Sequence, residues 1–489
     1  MLTTHFTGLL AFSIFQAALA KIDRSDFAPA DTIERDVAVI GGGAAGSYAA
    51  VRIREYYRKS VVIVEKEGNL GGHVSTYQDP ETGKTHDYGV AMYFPYEDAL
   101  DFFTWMNVNI SLTFPAGGDN PKRYADFSTG QELVNFTATE REQGLAAIRK
   151  FVDITTEKGY DKMVQPGYAN LPAGKDIPED LLLPVGEFVK KYDIQAMLPF
   201  IYPSTGPGVG SRGDFNKLLT LTLMKAFPPG WAKAYLGEIP LYAVDGGNQF
   251  LYNEIATLMR RDVVFNSVVV ESSRASGKIE LVTQSPDGKK KLILAKKLLI
   301  AVPPTRENLA PFDLDEAERV HFSKTKYGRS HTGLISHSKL PEANIMNTPE
   351  SAIQSPISPF LQTPFVMGFT YVRALGADKV FQIAASGDNY TAFDGPTAQA
   401  AVQTALEKLA EKGTIPDLGG EKLKVVAWSD NGPGGFGVSA EDLRAGWMED
   451  MYKLQGKRGT WYTGSGLAAD FTTMLWKFND GLLRGLVRA

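Results

Sequence analysis

The sequence predicts an α/β fold in which two domains are interleaved along the chain, and three observations carry that reading. A strand, a glycine turn, a helix and a second strand follow one another between Asp36 and Glu65. Strand-rich sequence returns between residues 236 and 304 after a long stretch of different character. A last glycine-bearing turn, Trp461-Tyr462-Thr463-Gly464, leads into a helix expected from about Phe471 to Leu483. With 489 residues, 44% of them apolar, the chain is long enough for two domains and a large core.

The first unit has a reason at each position. Val37, Val39 and Ile40 read as a buried strand, and Gly41 permits the tight turn after it. Gly43 lets the backbone approach a pyrophosphate, while Gly46 and Ala50 let the helix pack closely on the strands. Ala45 sits in the opening turn of that helix, whose N-terminus then faces the phosphates. Val61 to Val64 form the second strand, and Glu65 at its end is placed to accept hydrogen bonds from an adenosine ribose. Strand, turn, helix and acidic end-stop together make a Rossmann-like dinucleotide-binding unit, a stronger signal than the glycines alone.

Beyond it, residues 96–235 are rich in aromatics and in Pro/Gly punctuation, with helical spacing around Thr139 to Thr156 and Leu181 to Tyr192. Asp245-Gly246-Gly247-Asn248 then opens a helix through Leu251, Ile255 and Leu258. Strands follow at Val263 to Val270, Ile279 to Thr283 and Lys291 to Leu294, and Leu298 to Val302 reads as a separate buried strand stopped by Pro303-Pro304. These shifts divide the chain into a nucleotide-binding domain of residues 35–95, 236–304 and 441–489, and a substrate-side α+β domain of residues 96–235 and 305–440.

Composition narrows the function classes. The formal charge of −5 and the lack of a dense basic block argue against a nucleic-acid partner. Cysteine is absent, which excludes disulfides, a thiolate nucleophile and a cysteinyl link to a cofactor. The six histidines share no metal-ligand spacing, so no metal is expected. Residues 1–20 carry no charged side chain and end Ala18-Leu19-Ala20, the pattern of a signal peptide. Their apolar run of about 15 residues is short against the roughly 20 a membrane span needs. No later segment reaches that length, so no transmembrane anchor is expected after cleavage. Sequons at Asn109, Asn135 and Asn389 fit glycosylation in the secretory pathway.

With these blocks in order the chain resembles the flavin-containing amine oxidoreductase superfamily, most closely its secreted fungal β-cyclopiazonate dehydrogenase-like branch. The resemblance implies a glutathione-reductase-type, amine-oxidase-like FAD-binding domain and FAD as cofactor. It assigns Gly71-Gly72 to the loop under the pyrophosphate and ribityl chain, and Asp87 to Met92, with Val90 and Met92, to the segment passing the flavin ring. Val269, within Phe265 to Val269, would hold adenine through its backbone, and Gly464 takes the place of the family's aromatic-Ala-Gly turn. Met474 and Leu475 would present N–H groups to the flavin N1/O2 edge, where negative charge gathers on reduction.

Three positions depart from the family pattern. His73 stands where an arginine usually follows Gly-Gly, and either hydrogen-bonds phosphate or carries a covalent bond to the flavin. Thr332 occupies the place of the lysine that amine oxidases hold near flavin N5, with Lys324, Lys326 or Arg329 as candidate substitutes. Ser465 replaces an acidic residue.

The chemistry implied is hydride removal from a hydrophobic small molecule, by dehydrogenation or oxidative ring closure in secondary-metabolite biosynthesis. The flavin carries the reaction and the protein supplies aromatic walls. Tyr93 and Trp428 are candidate wall residues, together with Phe94, Phe102, Trp105, Tyr202, Trp231 and Trp447. Open alternatives are a double-bond isomerase of polyunsaturated fatty acids, an amine oxidase and a flavin-binding protein without catalysis.

Overall fold

The computed structural model describes residues 22–114, 120–209, 213–274, 278–373, 375 and 379–488. The signal peptide expected at residues 1–20 lies outside them. In chain order the strands are β1 (Thr32–Ile40), β2 (Val61–Val64), β3 (Thr76–Gln78), β4 (Thr85–Asp87), β5 (Ile110–Thr113), β6 (Lys122–Asp126), β7 (Gln131–Glu132), β8 (Leu241–Val244) and β9 (Val263–Val264). Then come β10 (Val268–Ser273), β11 (Ile279–Gln284), β12 (Lys290–Ile300), β13 (Lys326–Ser336), β14 (Asn344–Asn347), β15 (Phe365–Tyr371), β16 (Val380–Gly387), β17 (Lys424–Gly437) and β18 (Thr460–Tyr462).

The first large sheet runs β10-β11-β12-β1-β2-β9, with β18 also paired to β12. Its centre is parallel, β1 lying between β12 and β2. Such a sheet needs cover on both faces. Val37, Val39, Val61 and Ile63 point into one core cluster, whereas Ala38, Ile40, Val62 and Val64 point into another. The apolar runs in β1 and β2 are therefore a consequence of double burial rather than of a single amphipathic face.

β12 corrects one boundary. The two strands expected on either side of Ala295-Lys296-Lys297 are one continuous strand. Its first half pairs antiparallel with β11, its end pairs parallel with β18, and β1 runs along it from Leu292 to Ile300. Lys296 does not interrupt it because the side chain turns outward to Asp36, 2.7 Å away.

The second large sheet runs β17-β13-β16-β15-β14-β6-β7, so strands from both excursions of the chain share it. Its face carrying Ile335, Phe381, Ile383 and Phe369 packs on the helix Gly395–Glu411. The opposite face carries Leu334 and Val380, which meet Tyr88 from the nucleotide-binding half. His86 Nε2 lies 2.9 Å from Gln382 Oε1, tying β4 to that same face.

The C-terminal helix Thr472–Arg488 lies along the helix Ala44–Val51. Trp476 stacks on Tyr48 with ring centroids 5.3 Å apart, and its Nε1 donates to the Ala44 carbonyl at 3.2 Å. Among the described residues no helix is long and apolar enough to cross a membrane.

Candidate functional site

The glycine turn after β1 is built by close backbone contact. Gly41 has a φ of +98°, and a Cβ on Gly46 would stand 1.8 Å from the Gly41 carbonyl oxygen, so a side chain there would drive the helix off the turn. Gly43 forms a parallel bridge with Gly71, and Gly71 N–H donates to the Gly42 carbonyl at 3.0 Å. Ala45, 4% exposed, is buried in the first turn of the helix. Glu65 is also buried; its Oε2 accepts from Gly42 N–H at 2.6 Å and its Oε1 from Glu67 N–H at 2.9 Å. It thus ties the glycine turn to the end of β2, a task the sequence did not suggest, and each oxygen retains a lone pair.

Phe265 to Val269 arrive beside this carboxylate. Ser267 N–H donates to the Glu65 carbonyl at 2.9 Å and Asn266 N–H to the Glu67 carbonyl at 3.0 Å. Val269 is buried where β10 bulges between Val269 and Glu271.

Residues 87–92 are pinned from two sides. Val90 N–H donates to the His73 carbonyl at 3.0 Å, and a Cβ on Gly89 would fall 2.2 Å from that same oxygen. On the other side, Asn248 Nδ2 donates to the Val90 carbonyl at 2.7 Å, and Asp87 accepts from Asn248 N–H at 3.0 Å. Burial raises the Asp87 pKa, opposed by hydrogen bonds from Thr76 and Asn248. Gln249 Nε2 reaches the Leu70 carbonyl at 2.8 Å, so one helix start holds both the Gly71-Gly72 loop and the 87–92 segment. Val90 and Met92 remain partly accessible within this crowded region.

His73 lies where three segments meet. Its ring is solvent-accessible, yet desolvation is the largest influence on it and lowers its pKa. A hydrogen bond with the Asn431 backbone and the charge of Asp470 act in the opposite direction, so the middle of β17 and the residue before Phe471 both influence it.

Gly464, with a φ of +114°, follows β18. Thr463 N–H donates to the Ile300 carbonyl at 2.9 Å, and Thr463 Oγ1 bonds Asn479 Oδ1 at 2.5 Å. Asn479 Nδ2 in turn donates to the Ala45 carbonyl at 2.9 Å, joining the last glycine turn to the first. Asn479 was not foreseen, although a lone asparagine on the apolar stripe Trp476, Asn479, Leu483 is the signal that marks it. The helix geometry leaves the N–H groups of Thr472, Thr473 and Met474 without an i−4 carbonyl. Leu475 departs from expectation because its N–H is spent on the Phe471 carbonyl at 2.9 Å.

Several wall candidates are elsewhere. Tyr93, 2% exposed, is packed against Phe103 and Trp476 and belongs to the core. Trp428 pairs with Gly333 on the sheet face turned to the helix Gly395–Glu411, away from Tyr88, because its register neighbours Ser429 and Ala427 take the other face. Phe102 and Trp447 are core residues, Trp105 is exposed, and Tyr202 packs on Phe215 and Phe360. Phe94, 1% exposed, and Trp231, 9% exposed, are core residues as well; both pack on the partly accessible Phe471, which was not among the candidates, at centroid distances of 5.2 Å each.

Thr332, in the alternation of β13, shares the face of Leu334 that meets Tyr88, and its buried Oγ1 has no hydrogen-bond partner. None of the candidate substitutes is a buried, unpaired cation beside Thr332. Lys324 pairs with Asp442 at 3.0 Å, Lys326 is exposed, and Arg329 binds Asp430 on the opposite side. Among the described residues no cluster could hold a metal ion.

Glycine backbones in contact, a carboxylate at the end of β2, an accessible His73 and an orphaned Thr332 hydroxyl fit an extended dinucleotide with a ring system at its far end. Residues 39–106 match the family of NAD(P)-binding Rossmann-like domains. The chain is 30% identical to the FAD-dependent oxidoreductase pigF of Monascus ruber, over 98% of this chain and 99% of that one. The chain belongs to the fungal FAD-dependent oxidoreductase family. Within that family it is 29% identical to the β-cyclopiazonate dehydrogenase of Aspergillus oryzae, over 93% of each chain. The fold is shared with a CLA-producing fatty acid isomerase from P. acnes at a TM-score of 0.68 and 20% identity, covering 92% of this chain and 98% of that one. Putrescine oxidase shares it at a TM-score of 0.60 and 14% identity, over 94% and 100%. This FAD-dependent oxidoreductase therefore has an amine-oxidase-like architecture and uses FAD.

Proposed function

We propose that this FAD-dependent oxidoreductase removes a hydride from a hydrophobic small molecule of secondary metabolism, by dehydrogenation or oxidative ring closure. The observation that carries the reading is the partly accessible Phe471 at the start of the C-terminal helix, backed by the buried rings of Phe94 and Trp231. The sheet face that meets Tyr88 presents Thr332 and its register partner Ser429, uncharged side chains suited to a neutral substrate. The names of the relatives, among them β-cyclopiazonate dehydrogenase, support the same substrate class.

FAD held by these segments would supply the hydride acceptor at N5. The chain contributes the remainder. Gly43, Gly71 and Gly72 let the backbone approach the pyrophosphate, and Glu65 and the Val269 backbone take the ribose and adenine. His73 would stand beside the phosphates and Val90 and Met92 beside the ring, His73 and Val90 being joined by the Val90 N–H to His73 carbonyl bond. The N–H groups of Thr472 to Met474 and the Gly464 turn would hold the edge where negative charge accumulates. Phe471, held by Phe94 and Trp231 behind it, would offer an apolar substrate a surface and help exclude water.

Anaerobic mixing of the purified protein with pools of indole-terpenoids, polyketides, amines and unsaturated fatty acids tests the reading. Lasting bleaching of the yellow protein by a neutral hydrophobic compound is expected. Turnover of a fatty acid with the flavin remaining oxidised overturns it in favour of isomerisation, and bleaching by amines alone in favour of an amine oxidase.

The proposal includes passage through the secretory pathway. Asn109, Asn135 and Asn389 are all exposed, which supports glycan attachment at each. Secreted protein beginning at Lys21 that loses mass on N-glycosidase treatment is the expected result; an intact Met1 overturns it.

A further inference from the structure

The ammonium of Lys225 is almost fully enclosed, with a side-chain exposure of 2%, and its Nζ lies 3.0 Å from Asp470 Oδ1. Lys225 belongs to the helix Thr220–Ala226, nearly all of whose side chains are buried. The Phe436 ring centroid lies 5.4 Å from the same Nζ. Burying an ammonium is costly unless a paired charge compensates it, and Asp470 supplies such a charge.

Asp470 is differently placed. It is 31% exposed and immediately precedes Phe471, whose carbonyl accepts the first bond of the C-terminal helix. Its charge also reaches His73. One side of the carboxylate therefore meets Lys225, while its place two residues before the helix start sets it beside the unpaired N–H groups of Thr472 to Met474. The other carboxylate felt by His73, Asp430, is already bound by Arg329.

We propose that Lys225 is a positioning residue for the flavin reaction, cancelling the Asp470 carboxylate so that negative charge arriving at the flavin's pyrimidine edge meets helix N–H groups and no uncompensated anion. This rests on the placement of that edge at the C-terminal helix given under Proposed function. It also makes a helix of the substrate side part of the flavin's electrostatic setting. Without Lys225, Asp470 opposes reduction; without Asp470, the buried ammonium favours it.

The test uses the FAD-loaded protein and two readouts besides turnover: the two-electron midpoint potential and the affinity for sulfite, which adds to oxidised flavin and places negative charge on the same edge. K225M is expected to weaken sulfite binding by about tenfold and lower the potential, because the Asp470 charge is then left uncompensated beside the helix start. D470N is expected to shift both in the opposite direction, the double variant K225M/D470N to return near wild type, and K225R to stay near it. Shifts of the same sign in K225M and D470N, or shifts under about twofold in both, overturn the proposal. If K225M does not fold, D470N decides alone, and unchanged sulfite affinity and potential overturn it. A wild-type protein that takes up no FAD sinks the placement as well, whereas a yellow protein indifferent to both substitutions sinks only this inference.

Discussion

Gly43 and Gly72 lie back to back: a Cβ on Gly72 would stand 2.9 Å from the Gly43 Cα, and Gly72 has a φ of +60°. The two glycine loops thus close on each other with no room for a side chain between them. Gly72→Ala forces a left-handed alanine, costing about 1–2 kcal/mol, and pushes the loops apart where the pyrophosphate would lie. Expected is a loss of FAD affinity of about tenfold or more with the far-UV circular dichroism unchanged. The ratio of flavin to protein absorbance after gel filtration measures it; full retention of FAD counts against the cradle.

Glu65→Gln keeps the shape of the side chain but replaces one carboxylate oxygen by an NH2. Oε1 and Oε2 each accept a backbone N–H in the native protein, so the amide must present a donor to Gly42 or to Glu67. A charge-assisted bond of this kind contributes about 1.5–3 kcal/mol. The expected outcome is weaker FAD binding by calorimetry and a lower Tm even without cofactor, because the carboxylate also closes the turn. A variant with native apo-stability would assign Glu65 to the ribose alone.

Much of this was legible in the sequence because local rules dominate it. β1, Gly41, Gly46 and β2 obey period, turn and packing constraints within a few residues of one another, and the parallel sheet follows. Tyr93 and Trp428 misled for a different reason. Aromatic residues serve core and wall equally well, and only register decides: Trp428 faces the helix Gly395–Glu411 because Thr332 and Leu334 take the other face of β13. Lys225 and Asp470 are far apart in the chain, and nothing local announces a pair that tertiary folding alone brings to 3.0 Å.

Arg274 holds the end of β10 to the helix Glu316–Ser323 and to β18. Its guanidinium donates to both Glu318 oxygens at 2.8 and 2.9 Å and to Thr460 Oγ1 at 3.1 Å, with side-chain exposures of 0% for Arg274 and 1% for Glu318. Burial is the largest single influence and works against the Glu318 charge, yet the hydrogen bonds and charge of Arg274, with the Asp315 N–H and the Tyr462 hydroxyl, together hold the carboxyl below its ordinary range. Arg274→Met removes the main partner of that buried carboxylate and leaves it Arg458 at 3.5 Å, the Tyr462 hydroxyl at 2.8 Å and the Asp315 N–H at 2.9 Å, at a cost of up to about 3–5 kcal/mol. A large fall in the urea midpoint at neutral pH is expected, and a change under about 1 kcal/mol would show the pair to be solvated in solution.

His321 sets a pH dependence. Burial against Trp447, with ring centroids 4.3 Å apart, pushes its pKa from 6.5 down to about 4. The folded state therefore holds it neutral where the unfolded chain takes up a proton. Its contribution is complete above pH 6.5 and is lost as the pH falls toward about 4. His321→Phe keeps the aromatic stack and is expected to remove roughly 2–3 kcal/mol of the stability lost between pH 7 and 4. Urea midpoints across that range, compared with wild type, measure it; parallel slopes would show that the histidine is charged in the folded protein.

Thr332 offers the sharpest separation of folding from chemistry. Its Oγ1 is buried without a partner on the sheet face that meets Tyr88, so the folded apoprotein gains nothing from the hydroxyl. Thr332→Val has nearly the same shape and removes an unsatisfied polar atom, a change expected to leave Tm unchanged or slightly raised. If the hydroxyl meets a polar group of the bound substrate, kcat/KM falls by about tenfold, the value of one neutral hydrogen bond, while FAD content stays native. Loss of FAD together with a lower Tm would make Thr332 part of the scaffold, and unchanged kinetics would place the substrate away from this face.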